Sequence, residues 1–365
     1  MDALSFGVKA IERLSKNSQL AYAQAEHIHK EVLKPGGHWT PEECAARQRV
    51  AMVVPYRNRE DHLRIFVSYM HRFMQAQYLE YQIFVVEQAS PDVFNRAALM
   101  NIGFLEALKL HDFDCFIFHD VDLLPLDTRQ PYTCFQAPTH LGAYMSKFSY
   151  QMPYDGFFGG AVALSTENIK QMNGFSNLFY GWGGEDDDTL NRVLWRNLTV
   201  HRHAQGIGKS HMIKHEKDEG NPTNPNRDIG YEMKPDQYNR NGINSIKYIK
   251  QSTDLNVLYT RLLVSIEAEY LPECILDPLK SPRAPGNYLD CLTKVNFVRQ
   301  EVDCCRVDDV LQCCDKAEID RSKNGWRRPK FGIIGVVVSS GFIIIACYCN
   351  LHWLKRLKFW NLPQK

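Results

Sequence analysis

The stretch Phe116-Ile-Phe-His-Asp-Val-Asp-Leu-Leu-Pro125 decides the fold of this chain. An apolar, β-rich run ends here in two carboxylates, Asp120 and Asp122, with one residue between them. Side chains two apart on an extended strand share a face, so both carboxylates can point into a cleft at the strand's carboxyl end, where open α/β sheets bind ligands. Two such charges repel unless a cation lies beside them. A divalent ion that holds a diphosphate is one interpretation, and a polar turn is the alternative.

A second acidic cluster follows an aromatic, glycine-rich loop in Phe179-Tyr-Gly-Trp-Gly-Gly-Glu-Asp-Asp-Asp188. Acids in a first helical turn are favoured by the exposed N–H groups, which explains one or two of them but not all four. Trp182 offers a flat apolar face that can pack on a sugar ring, and the glycines around it allow close approach of the backbone. A carboxylate just beyond that face is placed to accept a hydroxyl proton.

Strand and helix patterns alternate along the first two thirds of the chain. The predicted strands cover residues 50–55, 82–87, 115–119 and 157–164. The predicted helices lie near residues 60–76, 94–110, 166–173 and 187–196. This alternation predicts an α/β fold with a mostly parallel central sheet flanked by helices.

Six motifs, taken in order, resemble the beta-1,4-galactosyltransferase family over roughly residues 36–268. They are Val54-Pro-Tyr-Arg-Asn-Arg59, Val93-Phe-Asn-Arg96, Phe118-His-Asp-Val-Asp122, Tyr154-Asp-Gly-Phe-Phe-Gly-Gly160, Gly181-Trp-Gly-Gly-Glu-Asp-Asp-Asp188 and Met212-Ile-Lys-His215. Each motif alone is weak or moderate, but six in sequence are specific. The resemblance implies a GT-A fold and an inverting, metal-dependent glycosyltransferase.

The same resemblance implies a role for individual positions. Asp122, Met212 and His215 match the family's metal ligands, normally for Mn²⁺, with Mg²⁺ as the alternative. The positions expected to bind the UDP-galactose donor are Pro55, Arg57, Phe94, Arg96, Asp120, Gly160 and Trp182. Asp186 matches the catalytic base, Glu185 lies beside it in the sugar site, and Trp182 matches the tryptophan that closes over the sugars. His215 binds metal as neutral imidazole, which predicts weaker metal binding at acidic pH.

Substrate specificity rests on the sugar and acceptor pockets. The positions expected there are Tyr154, Phe157, Tyr180, Arg227, Asp228 and Tyr231. Phe157 replaces a tyrosine that is frequent in the family, but it keeps nearly the same bulk, which favours galactose over N-acetylgalactosamine as the donor sugar. Asp228 stands where an aromatic residue is usual, so the acceptor is either terminal N-acetylglucosamine or glucose on a glycoprotein or glycolipid. A UDP-N-acetylgalactosamine transferase and a non-catalytic sugar-binding relative are the alternative functions.

Charge and cysteine content narrow the class of protein. The chain has 365 residues, with 43 Lys and Arg against 42 Asp and Glu, so no basic excess points to nucleic acid. Eleven cysteines are many for a cytosolic enzyme. Cys115 and Cys134 match a pair that forms a disulfide in the family, while Cys44 matches a family cysteine whose usual partner is absent here.

A second group of cysteines lies towards the C-terminus. Its members are Cys274, Cys291, Cys304, Cys305, Cys313 and Cys314. A disulfide-stapled module is the preferred interpretation, because the Cys-x-x-Cys spacing usual for zinc is lacking.

The C-terminal run 331–349 contains no charged residue and has basic residues on both sides, which predicts a transmembrane helix of unspecified orientation. The expected organisation is a polar, helical, stem-like segment (1–35), the catalytic domain (36–270), a Cys-rich and basic linker (271–330), the membrane helix and a short basic tail (350–365). Segment 1–35 lacks an apolar signal core. Disulfides and glycan acceptors predict a Golgi membrane protein with a lumenal catalytic domain.

Overall fold

The computed structural model describes residues 6–89, 93–215, 221–224, 227 and 238–266, and the backbone alone of 235–237, 302–307, 310–315, 337–339 and 342–344. Seven helices lie within these ranges. They are α1 (Val8–Lys16), α2 (Ser18–His29), α3 (Glu60–Gln75), α4 (Arg96–Ala107), α5 (Thr166–Gln171), α6 (Glu185–Trp195) and α7 (Pro235–Arg240). A short 3-10 helix spans Ser146–Phe148.

Eight strands form the main sheet, in the order β10-β11-β2-β1-β3-β7-β5-β8. Their bounds are β1 (Arg49–Tyr56), β2 (Glu80–Gln88), β3 (Cys115–His119), β5 (Thr139–His140), β7 (Ala161–Ser165), β8 (His201–Arg202), β10 (Tyr248–Leu255) and β11 (Thr260–Ile266). A second, three-stranded sheet joins β4 (Leu123–Pro125), β9 (Lys209–Met212) and β6 (Tyr144–Met145).

The sheet is mixed, which corrects the expectation of a mostly parallel one. The central strands β11, β2, β1 and β3 run parallel, whereas β7 pairs antiparallel with both β3 and β5, and β10 pairs antiparallel with β11. The α/β expectation itself is confirmed. The predicted strand at 157–164 begins only at Ala161, because Gly160 adopts a left-handed φ of 84° that ends the extended run.

Alternate residues of β1 enter opposite layers of the core, as expected for a strand covered on both faces. Val50, Met52 and Val54 pack with α3, while Ala51 and Val53 pack with α4. A disulfide joins Cys115 on β3 to Cys134, as the family resemblance implied, with 5.4 Å between the Cα atoms. Among the described residues, Cys44 is an exposed free thiol.

The segment expected to be stem-like contains helices α1 and α2, and both pack on α3. Phe6 makes edge-on ring contacts with Tyr69 and Phe73 of α3, at 5.7 and 5.6 Å between centroids. Ile11 of α1 is buried in the same core cluster. The N-terminal helices therefore belong to the folded body of the domain.

The C-terminal third of the chain lies largely outside the described residues. Backbone hairpins pair β12 (Val302–Val307) with β13 (Val310–Asp315), and β14 (Val337–Ser339) with β15 (Phe342–Ile344). The second hairpin falls within the predicted membrane helix 331–349, and its strand conformation there differs from that expectation because β-branched residues favour extended backbone. None of the helices within the described ranges has the length and apolar character that a bilayer crossing requires.

Candidate active site

The paired carboxylates lie in a turn at the end of β3. Asp120 O accepts from Leu123 N at 3.3 Å, which closes this turn, and Asp120 N donates to Gly160 O. Directly after the turn, β4 pairs with β9, with Leu123 opposite Met212. Ile213 N donates to Asp122 O at 2.7 Å. The second sheet thus brings Met212, about 90 residues along the chain, to the acidic turn.

Asp122 and His215 have the chemistry and the spacing of two ligands of one divalent metal. Asp122 Oδ2 lies 3.0 Å from His215 Nε2. Two ligands that each lie about 2.1 Å from an ion at a right angle are about 3.0 Å apart. The described residues contain no cluster of three or more His, Cys, Asp or Glu that can hold a metal. Met212, the third expected ligand, lines the same cavity as Asp122 and His215. Mn²⁺ tolerates mixed donors, and substrate phosphates complete such sites.

Arg96 links the metal turn to the second acidic cluster. It is the first residue of α4, whose N-terminus is capped by Asn95 accepting from Ala98 N. Arg96 Nε donates to Asp120 Oδ1 at 2.7 Å, and its Nη1 lies 3.7 Å from Glu185 Oε1. Burial disfavours the charge of Arg96, but Asp120 and Glu185 raise the pKa of its guanidinium. On the other side, Arg57 stacks over the Phe94 ring at 5.1 Å.

The four acids form the first turn of α6, which begins at Glu185. Gly184 precedes it with a φ of 95°, and a Cβ there would lie 2.2 Å from Arg227 O, so no other residue fits. Burial, and to a smaller extent the nearby charge of Asp186, raise the pKa of the Glu185 carboxyl to about 7. Burial and Asp187 raise the pKa of Asp186, while Arg96 opposes this shift. Raised carboxyl pKa values in a cleft are typical of groups that exchange protons.

Asp188, the fourth acid, lies in the core, apart from the other three. It is fully buried and pairs with Arg192 one helical turn later, at 2.7 Å. Arg192 in turn stacks against the ring of Tyr238 at 5.0 Å. This pair holds the start of α6 against the core and leaves Glu185, Asp186 and Asp187 at the cavity.

The loop that carries Trp182 is tied to α4. Asn95 Nδ2 donates to Asn177 O, and Asn101 Nδ2 donates to Asn177 Oδ1, both at 2.8 Å. Gly181 N then donates to Phe94 O. The indole itself remains 57% exposed, so it is free to cover a ligand in the cavity.

One cavity of about 620 Å³ contains nearly all of the expected site residues. Those that line it are Pro55, Arg57, Phe94, Arg96, Asp120, Asp122, Tyr154, Phe157, Gly160, Trp182, Glu185, Asp186, Met212, His215 and Arg227. Gly160 is favoured there because its φ of 84° is a conformation that other residues rarely adopt. Tyr180 is not part of this lining in the portion of the chain that the structure describes. Asp228 and Tyr231 lie outside the described residues.

Two of the expected acceptor-side residues make specific contacts. The Tyr154 hydroxyl donates to Asp187 Oδ1 at 2.8 Å, which links this tyrosine to α6. Phe157 is 7% exposed, and its ring meets those of Tyr154 and Phe148 at 5.6 and 5.8 Å. Phe157 therefore forms a rigid aromatic wall of the cavity.

Several lining residues were not anticipated from the sequence. Met145 of β6 reaches the cavity, as do Lys147, Phe148 and Pro153 of the segment after it. Ser149 and Tyr150 there have φ values of 52° and 59° without being glycine, so the turn carries no glycine signal. The sequence feature that could have identified this segment is a lysine beside an aromatic residue. In the structure, Lys147 Nζ lies over the Phe148 ring.

Two family models match the chain in succession. The N-terminal region of glycosyl transferase group 7 matches residues 5–135, and the N-terminal domain of galactosyltransferase matches residues 139–216. Beta-1,4-galactosyltransferase 4 of Cricetulus griseus is 43% identical over 229 residues, which cover 63% of this chain and 67% of that protein. The chain belongs to the beta-1,4-galactosyltransferase family.

Other members of the beta-1,4-galactosyltransferase family show similar likeness. Beta-1,4-galactosyltransferase 1 of Mus musculus is 41% identical over 234 residues, which cover 64% of this chain and 59% of that protein. The chain thus spans about three fifths of the length of such relatives. Among solved structures, the catalytic domain of Drosophila beta-1,4-galactosyltransferase 7 in complex with xylobiose matches with a TM-score of 0.53 and 28% identity, covering 61% of this chain and 95% of that one. A mutant of that enzyme was solved with manganese, UDP-Gal and xylobiose.

Proposed function

We propose that this protein is an inverting, Mn²⁺-dependent galactosyltransferase. It transfers galactose from UDP-galactose to the 4-hydroxyl of a terminal N-acetylglucosamine or glucose. The observation that carries the proposal is that Asp122, Met212, His215 and Asp186 all line the same cavity. A member of the same family has been solved with manganese, UDP-Gal and a disaccharide, which supports the choice of metal and donor.

The side chains of the cavity divide the chemistry between them. Asp122, Met212 and His215 hold the cation, which offsets negative charge on the departing diphosphate. Arg57 and Arg96 add fixed positive charge on the same side. Because Asp120 and Glu185 keep Arg96 oriented, this charge is in place before the donor binds.

The transfer itself is one displacement at the anomeric carbon. The acceptor oxygen forms a bond to this carbon from the face opposite the nucleotide, while the carbon–oxygen bond to UDP breaks and UDP leaves with the electron pair. Asp186 accepts the hydroxyl proton as the new bond forms. Trp182 covers the sugars and excludes water, and Glu185 fixes hydroxyl groups beside the base.

Galactose is the proposed donor sugar because the ring of Phe157, packed against Tyr154 and Phe148, fills the space beside the sugar. A UDP-N-acetylgalactosamine donor needs space for an acetamido group on C2, which a smaller residue would provide. The disulfide between Cys115 and Cys134 supports an oxidising compartment. We propose that the catalytic domain lies in the Golgi lumen.

The decisive experiment is a transfer assay with UDP-galactose, Mn²⁺ and either N-acetylglucosamine or glucose as the acceptor. Asp186→Asn keeps the size of the side chain but removes the base, so the rate should fall by about 100-fold or more while UDP binding is retained. Asp112→Asn, at an exposed position that does not line the cavity, serves as the control. Full activity of Asp186→Asn would remove Asp186 from the role of base. Absence of transfer with every UDP-hexose, combined with intact sugar binding, would favour the non-catalytic alternative.

A further inference from the structure

His119 lies directly beneath the metal turn and is fully buried. Its Nδ1 is 2.9 Å from Asp120 O, and its Nε2 is 3.0 Å from the hydroxyl of Tyr132. A carbonyl oxygen only accepts, so the proton lies on Nδ1, and Nε2 accepts from the tyrosine hydroxyl. The ring therefore joins Tyr132 to the carbonyl group that closes the turn containing Asp122.

Tyr132 is itself a fixed point. It is fully buried, its backbone N donates to Gln77 Oε1 at 2.9 Å, and its ring meets Phe73 edge-on at 5.0 Å. Two residues further on, Cys134 is tied to β3 by the disulfide. Movement of the Tyr132 hydroxyl is thus restricted by α3 on one side and by β3 on the other.

The orientation of the Asp120 carbonyl group affects the geometry of the turn. It accepts both Leu123 N and His119 Nδ1, and its direction fixes the peptide that leads to Asp122. The far side of the turn is set separately, by Ile213 N donating to Asp122 O. A change of the first contact would rotate Asp122 relative to Met212 and His215.

We infer that Tyr132 and His119 form a positioning pair, which orients Asp122 for the cation through the carbonyl group of Asp120. This inference rests on the proposed function, because it assigns the pair to the metal site. Neither residue touches the substrate or the ion. Removing groups that orient the metal ligands without touching the ion typically weakens metal binding by about 10- to 100-fold.

The chain contains a matched control elsewhere in the core. His71 is also fully buried, with Nδ1 at 2.7 Å from the Tyr81 hydroxyl and Nε2 at 2.6 Å from Leu258 O. Neither His71 nor Tyr81 lines the cavity. Tyr81→Phe and Tyr132→Phe therefore each remove a buried hydroxyl that donates to a buried histidine, at two different places. The Tyr81 hydroxyl also lies 3.2 Å from His71 O.

The test measures the Mn²⁺ dissociation constant in the presence of UDP, from the free-ion signal in electron paramagnetic resonance, together with the thermal midpoint. Both tyrosine variants should lose thermal stability, but only Tyr132→Phe should weaken Mn²⁺ binding, by about 10-fold. His119→Asn keeps a donor near the position of Nδ1, so it should bind Mn²⁺ more tightly than His119→Ala.

Three outcomes overturn the inference. Unchanged Mn²⁺ affinity in Tyr132→Phe removes the positioning role and leaves the proposed function standing. Equal weakening in Tyr81→Phe shows general loosening of the core instead. A wild-type protein that binds no Mn²⁺ overturns the proposed function and this inference together.

Discussion

Individual residues of the site are well defined by the sequence because each has a chemical task that few residue types can perform. Asp122, Asp186 and Trp182 were expected in one cleft, and the structure brings them to one cavity. Their roles stay predictions until they are measured. Met212 illustrates the limit of this reasoning, because a thioether is an unusual ligand for a hard ion. Without the family resemblance, the sequence would have predicted that Met212 is a core residue.

Phe157 carries a residue-scale prediction about the donor. Phe157→Leu removes part of the aromatic wall, so the use of UDP-N-acetylgalactosamine relative to UDP-galactose should rise by about 10-fold or more. The measurement is the ratio of kcat/KM for the two donors. Phe158→Leu is the control, because Phe158 is equally buried but packs in the opposite core cluster and does not line the cavity. An equal shift of the ratio in both variants would contradict the assignment of Phe157.

At the scale of elements, the long periodic segments were predicted within a few residues. The predicted helix at 60–76 corresponds to α3, and the predicted strand at 82–87 lies within β2. The hairpin of β10 and β11 was not predicted, because β10 is an edge strand with polar residues on both faces and lacks the apolar alternation that identifies strands. The two-residue strands β5 and β8 are too short for any periodic signal.

Helix α1 carries an element-scale prediction about stability. Phe6, just before α1, contacts two aromatic rings of α3, and Tyr69 of α3 donates its hydroxyl hydrogen to Pro125 O of β4. Phe6→Ala should lower the free energy of unfolding by roughly 2–3 kcal/mol, less than for a fully buried phenylalanine because Phe6 is half-buried. Urea denaturation measures the change, and Leu20→Ala, at a position 53% exposed, is the control. Equal losses in the two variants would mean that α1 does not stabilise the domain.

For the whole molecule, the sequence predicted the α/β class and the order of the main layers but not the mixed character of the sheet. The antiparallel strand β7 pairs with β3 and begins directly after Gly160, which has a φ of 84°. Nor did the sequence show that β4, β6 and β9 form a second sheet, although that sheet is what carries Met212 to Asp122. Such long-range pairing depends on tertiary packing rather than on local propensity.

Buried histidines make the stability of the whole molecule depend on pH. Burial lowers the pKa of His71 to about 3 and that of His29 to about 4. Below about pH 6.5 the unfolded chain binds protons that the folded chain does not, so each such histidine reduces stability as the pH falls, by about 1.4 kcal/mol per pH unit. Glu185 acts in the opposite direction between its ordinary pKa and about 7, because its folded pKa is raised.

Comparison of variants isolates the histidine effect. His71→Gln should lower the free energy of unfolding, and this loss should become smaller as the pH falls from 6.5 to 4. The reason is that the variant lacks the histidine whose protonation destabilises the wild-type protein in this range. Urea denaturation across this range gives the value at each pH. His27→Gln, at an exposed position of α2, should show no such trend. A loss from His71→Gln that is constant with pH would contradict the lowered pKa of His71.

The most direct measurement of the central claim is the anomalous diffraction of manganese in crystals of Asp186→Asn soaked with Mn²⁺ and UDP-galactose. We predict one strong peak within coordination distance of Asp122, Met212 and His215, with the anomeric carbon of the donor facing residue 186 across the cavity. A manganese peak at other residues, or a donor bound with its sugar away from residue 186, would contradict the account.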